Sequence, residues 1–235
     1  MFLVTVSGSV LAQARCDRKE FVLAIDIGHS SRDPGAISAH GVPEYLFNKR
    51  LANRLLDTAH HDGFKKTFII NNDGSRVLTL TQRSLLARRK HADLLLSIHH
   101  DSARAKLLNS WQYKGVSLRY ADQFSGYSIF YSERNRDAEE SRDFARILGS
   151  ELRLRGLTPT LHHDGVGQRH LVDRELGVYR YDPLILLRTA RMPAVLFEAG
   201  VILNRRDEAD LSSSEHQDQE IGAILDSVSR FCANN

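Results

Sequence analysis

The chain has 235 residues, of which 42% are hydrophobic and 26% charged, enough to bury the core of one soluble globular domain. Its formal net charge of +3 is not gathered into a Lys/Arg cluster interleaved with aromatics, so no nucleic-acid partner is expected. No apolar run reaches the about 18 residues of a membrane span, and two cysteines, Cys16 and Cys232, are too few for a disulfide scaffold or a cysteine-based zinc site.

The first residues form a short apolar run that reaches Ala12-Gln13-Ala14 ahead of a charged stretch. This small-x-small pattern resembles the end of a secretory signal cleaved after Ala14. The usual basic segment before the apolar core is missing, so residues 1–14 read as a truncated signal peptide or as an ordinary terminus. Export to the periplasm or cell wall is the favoured reading, and there Cys16 and Cys232 could pair and tie the two ends of the chain together.

Apolar runs then alternate with helical patterns. "FVLAIDI" (21–27) predicts a buried strand, and residues 44–63 carry apolar side chains at helical spacing up to Gly63. "KTFIINN" (66–72) predicts a second strand, 80–92 a helix and "DLLLSIHHD" (93–101) a third strand. "YSIFYS" (127–132) is a fourth, 140–156 another amphipathic helix, "PAVLFEAG" (193–200) a late strand and 216–232 a closing helix. Such alternation implies an α/β layer fold with a largely parallel sheet, whose ligands bind beyond the carboxyl ends of the strands.

Those strand ends carry the chemistry. His29 follows the first strand, His99, His100 and Asp101 close the third, Glu198 closes the late one, and Glu44 opens the first long helix. Two histidines and a carboxylate are the protein ligands of a catalytic zinc site that keeps one position open. A further carboxylate can move a proton between water and a leaving nitrogen. Each residue also has a plainer reading: a capping or surface histidine, a glutamate favoured by a helix dipole, a His99–His100 pair half in the core. Glu198 resists it, because an unpaired carboxylate buried after "AVLF" costs several kcal/mol as an order of magnitude.

Taken in order, "IDIGHSSRDPGA", "GVPE", "ADLLLSIHHDSA" and "PAVLFEAGVILN" resemble the zinc-dependent N-acetylmuramoyl-L-alanine amidases over about residues 21 to 231. The resemblance implies a single α/β domain (21–232) with a mixed, mainly parallel sheet flanked by helices on both faces. It implies one zinc ion per chain on His29, Glu44 and His99, with Glu198 as the catalytic carboxylate. The implied substrate is peptidoglycan or its muropeptides, cut between the lactyl group of N-acetylmuramic acid and L-alanine. Where the family usually keeps two glycines after the first histidine, Ser30-Ser31 stand here; SIHAN is replaced by Ser97-Ile98-His99-His100-Asp101, and Gly-Phe by Gly200-Val201. These departures touch the shape of the cleft, and none removes a ligand.

Some relatives carry a helical plug over the zinc; the segment between "SIFYS" and "PAVLFEAG" is short for one, so none is expected. The polar stretch 159–182 is read first as a solvated loop and second as a substrate-contacting rim acting through His163, Arg169 or Arg180. The pairs His60-His61 and His162-His163 are not strong ligand candidates. Two rival functions remain open: a zinc peptidase cutting within a peptide, and an inactive wall-binding or activator module.

Overall fold

Strands buried on both faces carry near-continuous apolar runs, and three such runs build the middle of the sheet. A computed structural model describes residues 16–70 and 77–234; the expected signal segment, 1–14, lies outside the described residues, as do residues 71 and 72 of the second expected strand. In chain order the elements are β1 (Leu23–Ile27), α1 (Glu44–His61), β2 (Phe68–Ile70), α2 (Leu80–Arg89), β3 (Leu94–Asp101), β4 (Asn109–Tyr113), β5 (Val116–Tyr120), β6 (Ser128–Tyr131), α3 (Ala138–Leu154), β7 (His170–Asp173), β8 (Val178–Arg180), α4 (Ile185–Thr189), β9 (Ala194–Val201), α5 (Arg205–Ser212) and α6 (Ser214–Asn234).

Among the described residues the main sheet has seven strands in the order β2-β1-β3-β9-β6-β8-β7. Strands β2, β1, β3 and β9 run parallel. Strand β6 turns antiparallel to β9, β8 runs parallel to β6, and β7 closes the edge antiparallel to β8. The sheet is therefore mixed and mainly parallel, as expected. Because β1, β3 and β9 are parallel neighbours, their carboxyl ends lie side by side.

The strand period of two sorts the core onto both faces. Leu23, Ile25, Leu94, Leu96, Ile98, Val195 and Phe197 pack with Leu51 and Leu55 of α1, Phe144 and Leu148 of α3, and Ile224 and Val228 of α6. Their neighbours Ala24, Leu95, Ala194 and Leu196 face the other way and pack with Ala87 of α2 and Leu186 and Leu187 of α4. Helices thus cover both faces. No described helix is long and apolar enough to cross a membrane.

The short helices α4 and α5 and two strand pairs were not predicted. Strands β4 and β5 pair antiparallel as a hairpin outside the main sheet. Its turn residues, Lys114 and Gly115, are both left-handed, the backbone of a tight hairpin turn. The stretch 159–182, expected as a loop, contains β7 and β8.

Cys16, ahead of β1, is bonded to Cys232 near the end of α6, with their Cα atoms 5.0 Å apart. The bond closes a loop of 216 residues in sequence, and long loops lose the most chain entropy on closure. Reduction, or the double substitution Cys16→Ala/Cys232→Ala, is expected to lower stability by about 2–5 kcal/mol. Thermal unfolding with and without a thiol reductant measures it; coincident curves would exclude a stabilising bond.

Candidate active site

The site starts where β1 ends. Gly28 continues the ladder by donating to the Ile98 carbonyl, and His29 then turns with a left-handed backbone, φ 65°. A non-glycine residue holds that conformation only where its surroundings enforce it. Arg83 of α2 does so: its Nη2 donates to the His29 carbonyl at 3.0 Å and its Nη1 to the Ile27 carbonyl at 3.0 Å. Arg83 is buried and answers Asp26 of β1 at 3.3 Å, while the Ser97 hydroxyl donates to the same carboxylate at 2.7 Å. Burial pushes Asp26 above the usual carboxylate range despite the guanidinium beside it. Asp26 therefore reaches His29 through Arg83. Replacing Arg83 by Met strands a buried carboxylate and two carbonyls, so a loss of about 3–5 kcal/mol is expected in urea unfolding.

Ser30, the first of the two serines that replace the usual glycines, builds the next turn. The Ser30 amide donates to the Asp33 carbonyl, and the Asp33 amide donates to the Ser30 hydroxyl at 3.1 Å. A buried serine thus supplies its own turn partner, and the loop returns to the start of α1. There the Glu44 amide donates to the Ala36 carbonyl and the Ala36 amide to Glu44 Oε2.

Glu44 is the meeting point. Its Oε2 lies 3.1 Å from His29 Nε2 and its Oε1 3.1 Å from His99 Nδ1. One ligand atom from each of the three residues falls within 4.8 Å of the others, the arrangement of a site that could hold a metal ion. Burial pushes the Glu44 carboxyl up, but hydrogen bonds and charge from the two imidazoles outweigh it and carry it well below the usual range. Burial pulls His29 down, and the Glu44 hydrogen bond and charge overcome it, so His29 titrates above an ordinary histidine. Two glycines keep the space open. A Cβ on Gly28 would meet the His99 ring at 2.5 Å, and one on Gly35, at φ +75°, would collide with Glu44 and His29.

The strand pleat separates His99 from His100. His100 is buried on the α1 side, 2.7 Å from Asn48 Oδ1 and against the Phe47 ring. Burial lowers its pKa to about 3, so it is a neutral core residue. Asn48, one turn after Glu44, also donates to the Gly28 carbonyl and to Glu44 Oε1. It ties the helix start to the β1 end, and its place four residues along the buried face of α1 was the sequence signal for it.

Glu198 sits opposite His99 in the β3–β9 register. Its Oε2 is sealed from solvent and has no hydrogen-bond partner among the described residues. Burial, with the negative charges of Asp101 and Glu44, raises its pKa well above the ordinary value. His29, Glu44, His99 and Glu198 line one cavity of about 480 Å³. Asp101, His163 and Arg169 line it too. Of the three rim residues suggested by the sequence, His163 and Arg169 thus reach the cavity. Arg180 is held by Asp182 at 2.6 Å instead.

The model of the N-acetylmuramoyl-L-alanine amidase family matches residues 23–230, nearly the whole chain. The chain belongs to that family. A putative N-acetylmuramoyl-L-alanine amidase of Buchnera aphidicola subsp. Baizongia pistaciae is 25% identical over 217 residues, which cover 83% of this chain and 89% of that one. The N-acetylmuramoyl-L-alanine amidase AmiA of Escherichia coli (strain K12) is 23% identical over 96% of this chain and 81% of its own. The crystal structure of the N-acetylmuramyl-L-alanine amidase Ami1 from Mycobacterium smegmatis superposes with a TM-score of 0.72 at 20% identity, covering 92% of this chain and 98% of that one, and so shares the fold. The enzyme class is amidase.

Proposed function

We propose that this amidase is a zinc enzyme that hydrolyses the amide between the lactyl group of N-acetylmuramic acid and the L-alanine of a peptidoglycan stem peptide. The observation that carries the reading is the convergence of His29, Glu44 and His99 on one wall of the cavity that Glu198 also lines. Two half-buried imidazoles and a buried carboxylate, kept clear by Gly28 and Gly35, fit a zinc ion by donor type and by space. Zinc, when bound, supplies a Lewis acid that polarises a carbonyl and acidifies water.

The chain's own residues do the rest. Glu198, held with a raised pKa, takes a proton from the attacking water as its oxygen bonds to the lactyl carbonyl carbon. It returns that proton to the alanine nitrogen as the C–N bond breaks. The products are a lactyl carboxylic acid on the glycan and a stem peptide with a free amine. Arg169, stacked on the Tyr181 ring with 4.5 Å from its guanidinium carbon to the ring centroid, offers a cation at the cavity to the acidic stem peptide. The Cys16–Cys232 bond supports work outside the reducing cytoplasm, in the periplasm or cell wall.

The test is digestion of purified peptidoglycan by the zinc-loaded protein, with mass spectrometry of the products. Intact stem peptides that begin with L-alanine, together with peptide-free glycans, are expected. Stem peptides cut internally would replace this reading with a peptidase, and no soluble product would leave a wall-binding module.

A further inference from the structure

A second cluster of metal-ligating side chains stands beside the first. Asp101 closes β3 two residues after His99, where the β3–β9 register shifts. His162 and His163 arrive from the polar stretch before β7. His163 Nε2 lies 2.6 Å and His162 Nε2 3.3 Å from the same oxygen, Asp101 Oδ2. One ligand atom from each residue falls within 4.8 Å of the others.

The cluster is built. Asp101 is 6% and His163 7% exposed. The His162 ring packs on Phe124 at 4.6 Å and on His163 at 4.0 Å between centroids, and His163 packs against Phe130 and Tyr179. The Thr160 hydroxyl lies 2.7 Å from His162 Nδ1, and the Ser102 amide donates to Asp101 Oδ1. Such outer partners orient an imidazole and leave its other nitrogen for a ligand. That other nitrogen, His162 Nε2, is sealed from solvent and has no hydrogen-bond partner among the described residues. A hydrogen bond from His163 accounts for one imidazole facing Asp101; His162 Nε2 lies 3.3 Å from the same oxygen outside hydrogen-bond geometry, a place that a shared cation would fill.

We propose that Asp101, His162 and His163 form a second metal site, for a divalent ion of the zinc and cobalt type. None of its ligands belongs to the His29–Glu44–His99 set. Asp101 and His163 line the same cavity as Glu198. An ion there adds positive charge beside the carboxylates of Glu198 and Glu44.

The experiment is metal stoichiometry on the whole chain, stripped with a chelator and titrated with Co2+. Binding is followed by visible absorption and by elemental analysis. Wild type is expected to take two equivalents. His162→Gln and Asp101→Asn are each expected to weaken one of them at least tenfold, and His29→Ala the other. His162, at the edge of the cluster with its side chain 11% exposed, is the gentler substitution should the Asp101 variant not fold. One equivalent in wild type, kept by His162→Gln and lost by His29→Ala, would overturn this site and leave the zinc amidase reading standing. One equivalent kept by His29→Ala and lost by His162→Gln would support this site and remove the metal from the first. No binding at all would overturn both.

Discussion

Glu198→Gln is expected to lower kcat/KM on peptidoglycan by about 10²–10⁴-fold, the range a positioned general base contributes. The substitution keeps the shape of the side chain and removes its charge and its basicity. The cost of the native residue is visible in the structure: its Oε2 is buried without a partner, and its pKa is raised by burial and by the charges of Asp101 and Glu44. Taking that charge away relieves the metal-free protein, so the variant should unfold no lower than wild type, and up to about 2–4 °C higher for each kcal/mol gained. The pH dependence follows in sign. A carboxyl with a raised pKa in the folded state contributes stability that is full below its ordinary value of 4.5 and is lost as pH rises through the raised value. The metal-free variant should therefore lose less stability than wild type between pH 5 and neutrality. Unfolding curves at several pH values, beside the release of stem peptides, measure both effects. Undiminished release would remove Glu198 from the chemistry.

The fold was legible where burial leaves a mark on composition. β1, β3 and β9 lie between two helical layers, and their runs of Leu, Ile, Val and Phe read as strands at once. The β4–β5 hairpin left no such mark. It stands outside the main sheet, its side chains are half-exposed or exposed, and its turn is Lys-Gly rather than a strong hairpin pair. Strand β7 was hidden in the polar stretch 159–182 because an edge strand needs few apolar residues, and β8, inside the sheet, because it is only three residues long with Val178 and Tyr179 as its buried pair.

At the site, each of the four residues that the family resemblance singled out faces the common cavity; periodicity alone had placed them, with His100 and Asp101, at strand ends and a helix start. What periodicity could not supply was the choice between adjacent histidines. His99 and His100 differ only in which side of the pleat they take, and the structure puts one at Glu44 and the other against Phe47. Arg83 was invisible for a related reason: an arginine on a charged helix reads as solvated until Asp26 is found beneath it. His162 and His163 were not read as a ligand pair, and their partner, Asp101, lies 62 residues from His163 in the chain.

Glu44→Gln is expected to abolish metal retention at the first site and, with it, activity by about 10³-fold or more, since a catalytic metal contributes several kcal/mol. The physical reason lies in how Glu44 meets the two imidazoles. It bridges His29 and His99 at 3.1 Å each, and the bridge holds a proton on His29 above the ordinary value of 6.5. A metal ion must displace that proton, so uptake should release protons, and affinity should fall as pH falls through the raised value. The folding linkage has two parts. His29, with its pKa raised by Glu44, stabilises the metal-free fold fully below pH 6.5, and this share is lost as pH rises through the raised value. Glu44, with its pKa depressed, contributes above pH 4.5, and this share is lost as pH falls through the depressed value. The metal-free protein is thus best served by these groups between pH 4.5 and 6.5. Metal loading should accordingly raise Tm more at pH 8 than at pH 6. Thermal unfolding of stripped and zinc-loaded protein at the two pH values reads the difference, and Glu44→Gln should erase it. An equal or larger rise at pH 6 would mean that the ion binds away from this bridge.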